Sequence, residues 1–285
     1  MTMAFFNPVL LDHAVRAALD EDLGRAGDIT TMATIPAHMQ ASAVMAARKG
    51  GVVCGLPLAE AAFRIIDPKL TFEPLVEEGA HVPAKTPVAR IKGNARAILT
   101  AERVALNYAC RLSGIATLTA EFVELVKHTN AKICCTRKTT PNLRAFEKYA
   151  VRCGGAMNHR FGLDDAVLIK DNHIAVAGGI REALRAAKAA AGHLVKVEIE
   201  VDTLDQLREV VDEGADFVLL DNMNVEQMRE AVKIAKGKVK LEASGGINRN
   251  TVKEIAETGV DLISSGALTH SAPILDLGLD IEIGS

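Results

Sequence analysis

The sequence predicts an α/β protein with a parallel sheet in its C-terminal part and a separate N-terminal α+β region. Three observations carry this. Beyond Lys132, runs of β-branched residues alternate with amphipathic segments, the pattern of strands joined by helical crossovers. The later runs end roughly 21 to 30 residues apart, a compact βα unit that suits a barrel, with the sheet open or closed. Finally, the chain has no Trp and 4% aromatic residues within a hydrophobic content of 49%, so its core is built from small branched side chains.

In chain order, Leu11, Val15, Ala18, Leu19 and Leu23 recur at helical spacing, and Gly24 closes that helix. Short apolar runs follow at 41–47, 70–76 and 87–91, punctuated by Gly50-Gly51, Pro68, Gly79, Pro83 and Gly93, with one helix near 58–66. This reads as a small mixed sheet with turns. A long helix is expected from about Arg96 to Leu112 and, after a break at Ser113-Gly114, on to Val126. Ile98, Ala101, Ala105, Ala109 and Leu112 line one face of it, and Thr100, Arg103, Asn107 and Arg111 the other. Arg103 therefore points away from its helix's own core. Strands are expected at 133–136, 166–169, 195–199, 217–220, 239–243 and 262–264, with helices at 180–191, 203–213, 225–234 and 250–257 between them. The domain seam is placed at 112–113, giving domains 1–112 and 113–285, with the last residues packing back on the first.

The chain of 285 residues is long enough for one large or two linked domains, and its 24% charged content excludes a disordered or low-complexity protein. A net charge of −3 argues against nucleic acid as a partner, so any anion site must be local. Five cysteines (Cys54, Cys110, Cys134, Cys135, Cys153) without a CxxC pair argue against a disulfide framework or a structural zinc, and a reduced cytoplasmic protein is expected. The segment Met1 to Leu23 is acidic where a leader would be basic, and no apolar run reaches bilayer length.

In parallel α/β folds the chemistry gathers at the C-terminal strand ends. Here those ends carry Arg137 and Lys138, then Lys170 to His173, then Glu200, then Asp221 and Asn222, then Ser244, Gly245, Gly246 and Asn248, and last Ser265, Gly266 and Ala267. Loops are polar in any protein, but random solvated loops would not sort cations, acids and glycine turns around one rim. The two glycine turns suit a phosphate, bound through backbone N–H groups at helix starts. Glu200 and Asp221 suit Mg²⁺; equally open are a general acid/base pair and a salt bridge from Glu200 or Asp221 to Lys170. The connection after the first strand holds Arg144, Lys148, Arg152, His159 and Arg160, which read either as a solvated helix face or as an anion clamp.

At Thr136-Arg137-Lys138-Thr139-Thr140-Pro141, Lys148-Tyr149-Ala150-Val151-Arg152-Cys153-Gly154-Gly155 and Asn158-His159-Arg160 the chain resembles the quinolinate phosphoribosyltransferases. The likeness continues through Leu168-Ile169-Lys170-Asp171-Asn172-His173, Glu198-Ile199-Glu200-Val201, Leu220-Asp221-Asn222 and Glu242-Ala243-Ser244-Gly245-Gly246-Ile247-Asn248. In the first half it includes Glu21-Asp22-Leu23-Gly24, Gly27-Asp28-Ile29-Thr30-Thr31, Glu102-Arg103-Val104-Ala105-Leu106-Asn107 and Leu112-Ser113-Gly114-Ile115-Ala116-Thr117. Asn142 stands where the family usually has Gly, and Asp164 where an aromatic is common.

The resemblance implies an open or incomplete C-terminal (βα) barrel with an N-terminal open-faced sandwich. It implies transfer of phosphoribosyl from phosphoribosyl pyrophosphate to quinolinate, with decarboxylation, to give nicotinate mononucleotide, pyrophosphate and CO₂ in NAD biosynthesis. Implied quinolinate contacts are Arg103, Thr136, Arg137, Lys138, His159, Arg160 and Lys170. Implied phosphoribosyl pyrophosphate contacts are Lys138, Glu200, Asp221, Ser244, Gly245, Gly246, Asn248, Ser265, Gly266 and Ala267. Lys170, Glu200 and Asp221 would be catalytic, with Mg²⁺ on the two acids. Arg103 would reach a neighbouring subunit's site, so a homodimer with shared sites is expected, with further assembly of dimers open. A barrel aldolase using Lys170 as a Schiff base, a phosphoribosyltransferase for another pyridine acid and a non-catalytic phosphate-metabolite binder are the rival readings.

Overall fold

The computed structural model describes residues 7–282. The expectation for the leader region extends to residues 1–6, which lie outside that range. The chain divides into two compact units. One runs to Leu118 and resumes at Ala272; the other is Thr119–Ser271.

In the first unit, α1 (Pro8–Leu23) starts at Asn7, whose side chain accepts the Val9 N–H, and stops at Gly24 with φ +51°. Next comes α2 (Ile29–Thr34), which periodicity did not reveal; Asp28 caps it by accepting from Thr31 N at 2.9 Å. Then follow β1 (Gln40–Ala47), β2 (Gly51–Val52), α3 (Leu56–Ile66), β3 (Thr71–Pro74), β4 (His81–Val82) and β5 (Pro87–Asn94). Alternation in β1 buries Ala41, Ala43, Met45 and Ala47. The final strand of the chain, Leu277–Glu282, joins β1 antiparallel, making a four-stranded sheet with it outermost, then β1, β5 and β3.

The long helix α4 (Ala95–Val126) is continuous, contrary to the break expected at Ser113-Gly114. Gly114 serves a different purpose: a Cβ there would collide with the Pro273 carbonyl. The missing side chain lets the returning chain pass close to the helix, and the helix itself pays only the propensity cost of a glycine. Ile98, Ala101, Ala105, Ala109 and Leu112 are all buried, and Arg103 and Asn107 are exposed, as the helical spacing predicts.

The second unit holds β6 (Lys132–Cys134), α5 (Arg144–Cys153), β7 (Val167–Ile169), α6 (Asp171–Ala177), α7 (Ile180–Ala190), β8 (Val197–Val201), α8 (Leu204–Glu213), β9 (Phe217–Asp221), α9 (Val225–Ala235), β10 (Lys240–Ser244), α10 (Val252–Ala256), β11 (Leu262–Ser264) and α11 (Ala267–His270). Capping boxes at Thr203/Gln206 and Asn224/Gln227 start α8 and α9. The six strands form one parallel sheet in the order β6, β11, β10, β9, β8, β7. Its two edges are the first two strands of the unit, so the ladder curls toward a barrel but does not close between β6 and β7. The connection 135–166 occupies that seam. Met157 donates to Ile133 O at 2.8 Å and Cys135 to Met157 O at 3.3 Å, giving β6 a one-bridge neighbour in place of a strand. Asn142, in this connection, has φ +65°, a conformation that Gly adopts freely and Asn tolerates better than other side chains.

Candidate active site

A cavity of about 580 Å³ opens at the C-terminal ends of the second unit's strands. Strand alternation supplies its walls: Leu168 and Lys170 from β7 and the residue after it, Leu219 and Asp221 from β9, Glu242 and Ser244 from β10 all point inward. Glu200 and Asp221 therefore belong to the strands themselves, and not to the loops beyond, because β8 and β9 run further than their β-branched cores suggest.

Thr136, Arg137, Lys138, His159 and Arg160 line one side. The Nε atoms of Arg137 and Arg160 are buried and have no hydrogen-bond partner. Arg160 also donates to Ala166 O at 3.1 Å, which fixes the guanidinium at the seam. Burial, and after it the charge of Arg137, pulls the Arg160 guanidinium's proton affinity down, against the pull of Asp165 and Glu198. Two half-buried cations that repel each other and keep unspent donors form a site for a multiply charged anion.

Facing them, Lys170 Nζ donates to Glu200 Oε2 at 2.8 Å. The salt bridge left open by the sequence is thus formed. An ammonium tied to a carboxylate is the opposite of the desolvated amine that Schiff-base chemistry needs, which counts against the aldolase reading. Backbone N of Lys170 donates to His173 Nδ1 at 2.9 Å, holding the strand end against the first turn of α6. Glu200, Asp221 and also Asp202, which the sequence reading passed over, bring carboxylate oxygens within 4.8 Å of one another. That all-oxygen donor set fits a Mg²⁺ ion.

Ser244, Gly245 and Gly246 form the third wall. Gly245 has φ +98°, and a Cβ on it would run into the Asn222 side chain and, at 2.9 Å, its backbone N. Asn222 in turn has φ +53°, donates its backbone N–H to Ser244 O at 3.0 Å and its side-chain N–H to Asp221 Oδ2 at 2.7 Å. The glycine turn and the acid are one assembly. The helices that follow the two glycine turns, α10 and α11, have only five and four residues, so their dipoles add little, and an anion here relies on the turns' own N–H groups.

The other expected rim residues have partners within the glycine turns or beside Lys138. The Ser265 hydroxyl is buried and donates to Ile247 O at 2.9 Å. Asn248 spends its side chain on Gly246 O and Asn250 N, while Gly266 has Lys138 Cδ 3.0 Å from where its Cβ would stand. Ala267 opens α11. Asn248, Ser265, Gly266 and Ala267 do not line the cavity, and Ser264 does. Arg103 belongs to the first unit, 66% exposed at its side chain, 4.0 Å from Glu102 of its own helix.

His159 also meets two acids, Glu198 and Glu242, to which the sequence assigns no role. His159 Nε2 is 3.0 Å from Glu198 Oε2 and 3.7 Å from Glu242 Oε1, and Cys134 Sγ is 3.8 Å from Glu242 Oε2. His159 Nδ1 accepts the Arg160 backbone N–H at 2.7 Å, so the ring carries its proton on Nε2 and donates it to Glu198. Burial works against a second proton on the ring, but the hydrogen bond to Glu198 and the charges of Glu242 and Glu198 outweigh it and raise the imidazole's pKa. With both nitrogens engaged, His159 supports the clamp from below. The signal was present as period-2 alternation: Glu198 and Glu242 stand two residues before Glu200 and Ser244.

Glu242 is pushed up to about 7, by burial first and then by the charge of Glu198. An unfolded chain releases that proton near 4.5. Between these values the folded protein binds more protons than the unfolded one, so this group's contribution to stability falls as pH rises. Glu242→Gln should therefore gain stability over the parent as pH rises from about 5 to about 8, measured by denaturant midpoints. An identical pH response in both proteins would refute the assignment.

Comparison with known proteins agrees with this geometry. The family model for the quinolinate phosphoribosyl transferase C-terminal domain matches residues 115–280, and that for the N-terminal domain residues 28–113. A nicotinate-nucleotide pyrophosphorylase (carboxylating) of Mycobacterium leprae is 46% identical over 274 residues, covering 94% of this chain and 95% of that one. A probable enzyme of the same name from Bacillus subtilis is 42% identical over 265 residues, covering 93% and 91%. The solved nicotinate-nucleotide pyrophosphorylase of Francisella tularensis superposes with a TM-score of 0.94 at 41% identity, covering 99% of both chains. The chain belongs to the quinolinate phosphoribosyl transferase family.

Proposed function

We infer that the chain transfers the phosphoribosyl group of phosphoribosyl pyrophosphate to the ring nitrogen of quinolinate, releasing pyrophosphate and CO₂ and giving nicotinate mononucleotide for NAD biosynthesis. The observation that carries this is the single cavity with unpartnered buried guanidinium donors on one side and carboxylates with a glycine turn on the other. A dicarboxylate suits the first side and a sugar phosphate the second.

Arg137, Arg160 and Lys138, with Thr136 beside them, hold the quinolinate carboxylates, and His159 keeps the Arg160 backbone in place from beneath. Lys170 reaches the carboxylate that is lost. Its ammonium, shared with Glu200, orients that group while the quaternised nitrogen next to it takes up the charge left by CO₂. Cleavage of the bond from ribose to pyrophosphate builds positive charge on the sugar carbon, which the Glu200 and Asp221 carboxylates stabilise. Lys138 and the N–H groups around Ser244, Gly245 and Gly246 receive phosphate. Mg²⁺ held by Glu200 and Asp221, with Asp202 in reach, would neutralise the pyrophosphate leaving group.

A homodimer with shared sites is part of this reading. Arg103 offers an exposed guanidinium, and Leu163 and Val176, 73% and 90% exposed, flank an apolar groove of about 950 Å³ that a second copy would cover. The cytoplasm suits five buried cysteines that form no disulfide; among the described residues no helix is long and apolar enough to cross a membrane.

A coupled assay for CO₂ and pyrophosphate should respond to quinolinate and not to nicotinate; turnover of nicotinate alone would overturn the substrate assignment. Arg103→Ala and Lys170→Ala should each be inactive, and subunit exchange between them should restore part of the activity. Verified hybrids that stay inactive would remove Arg103 from the site.

A further inference from the structure

Lys148 is 1% exposed, one of the largest fully buried side chains, on a helix whose other basic residues, Arg144 and Arg152, keep part of their surface open. Arg144 donates to Phe161 O and to Thr139 Oγ1, and Arg152 to Ala156 O. Neither the solvated-face nor the anion-clamp reading of this basic connection covers Lys148. Its Nζ donates to Cys135 Sγ at 3.1 Å and to His159 O at 2.9 Å. These two acceptors lie on the two segments that carry the clamp: Cys135 is two residues before Arg137, and His159 adjoins Arg160.

They also meet where the sheet is weakest. Between β6 and β7 no ladder forms, and the segment around Met157 is tied to β6 by a single bridge. Cys135 Sγ donates onward to Asn158 Oδ1 at 3.3 Å, which extends the tie to the residue before His159. Burying the polar end of a lysine costs solvation that a methionine of similar volume would not, so stability alone does not account for it. We propose that Lys148 is a positioning residue for the dicarboxylate clamp, a side-chain brace that replaces the absent strand pairing and sets the spacing between Arg137 and Arg160. This rests on the clamp reading above.

The test is steady-state kinetics in both substrates on Lys148→Met, Cys135→Ala, Cys135→Ser and the double variant Lys148→Met/Cys135→Ala, with Arg137→Ala as reference. Lys148→Met should keep its thermal midpoint and raise the quinolinate KM about tenfold or more, leaving the phosphoribosyl pyrophosphate KM within about twofold. Cys135→Ala should raise the quinolinate KM less, Cys135→Ser should restore it, and the double variant should be no worse than Lys148→Met. Parent-like kinetics for Lys148→Met, or a parallel rise in both KM values, would overturn the brace. Should Lys148→Met not fold, equal quinolinate KM values for Cys135→Ala and Cys135→Ser overturn it instead. Arg137→Ala with an unchanged quinolinate KM sinks the clamp itself; a raised value there beside an unaffected Lys148→Met removes only Lys148.

Discussion

Arg137→Ala should lower kcat/KM for quinolinate by about 2–5 kcal/mol, the loss expected when one partner of a buried, charge-assisted contact is removed. The size follows from the surroundings. Arg137 Nε is buried without a protein acceptor, so the guanidinium keeps a donor for an anion in the cavity. Its neighbour Arg160 lines the same cavity and is held at Ala166 O, so it cannot swing across to take over both carboxylates. Arg137→Lys should recover little, because a point charge cannot make the paired, planar contact of a guanidinium with a carboxylate. The phosphoribosyl pyrophosphate KM should stay near the parent value. Steady-state kinetics in each substrate separates these outcomes, and a parent-like kcat/KM for quinolinate would exclude Arg137 from the clamp.

Gly245→Ala should have the second large effect, on the other substrate. The residue sits at φ +98°, where a side chain is strained by about 1–3 kcal/mol, and its Cβ would displace Asn222. Asn222 cannot move alone, since its backbone binds Ser244 O and its side chain binds Asp221. The substitution therefore shifts the glycine turn and the acid together, and kcat/KM for phosphoribosyl pyrophosphate should fall about 10²-fold. Quinolinate binding, measured by calorimetry, should be retained. Unchanged turnover with Gly245→Ala would mean that the turn does not approach the phosphate.

How much of this was legible beforehand depends on which physical signal each residue carries. Strand-helix alternation revealed the parallel sheet, and reading strand ends located Arg137, Lys170, Glu200, Asp221 and Ser244 around one cavity. Glu198 and Glu242 lie one pleat inward of those ends, where position at a strand tip carries no signal. Gly114 was misread because local propensity says nothing about a chain segment returning from residue 273. Lys148 shares an i, i+4 stripe with Arg144 and Arg152, which on one helix alone looks like a solvated face. Only the tertiary position of α5 distinguishes the buried member. Residue type alone does not show that the side chains of Ser265 and Asn248 bond within the glycine turns.

The unclosed sheet has an evolutionary consequence. Most of the cavity's cations come from the connection 135–166, outside the ladder, whereas Glu200 and Asp221 belong to β8 and β9 inside it and the glycine turn follows β10. The cationic and acidic walls are thus encoded largely by different stretches of chain, with Lys170 after β7 as the exception. Exchange within that connection that keeps Lys138 and the internal lysine brace alters the cationic wall while the acids and the glycine turn are inherited intact.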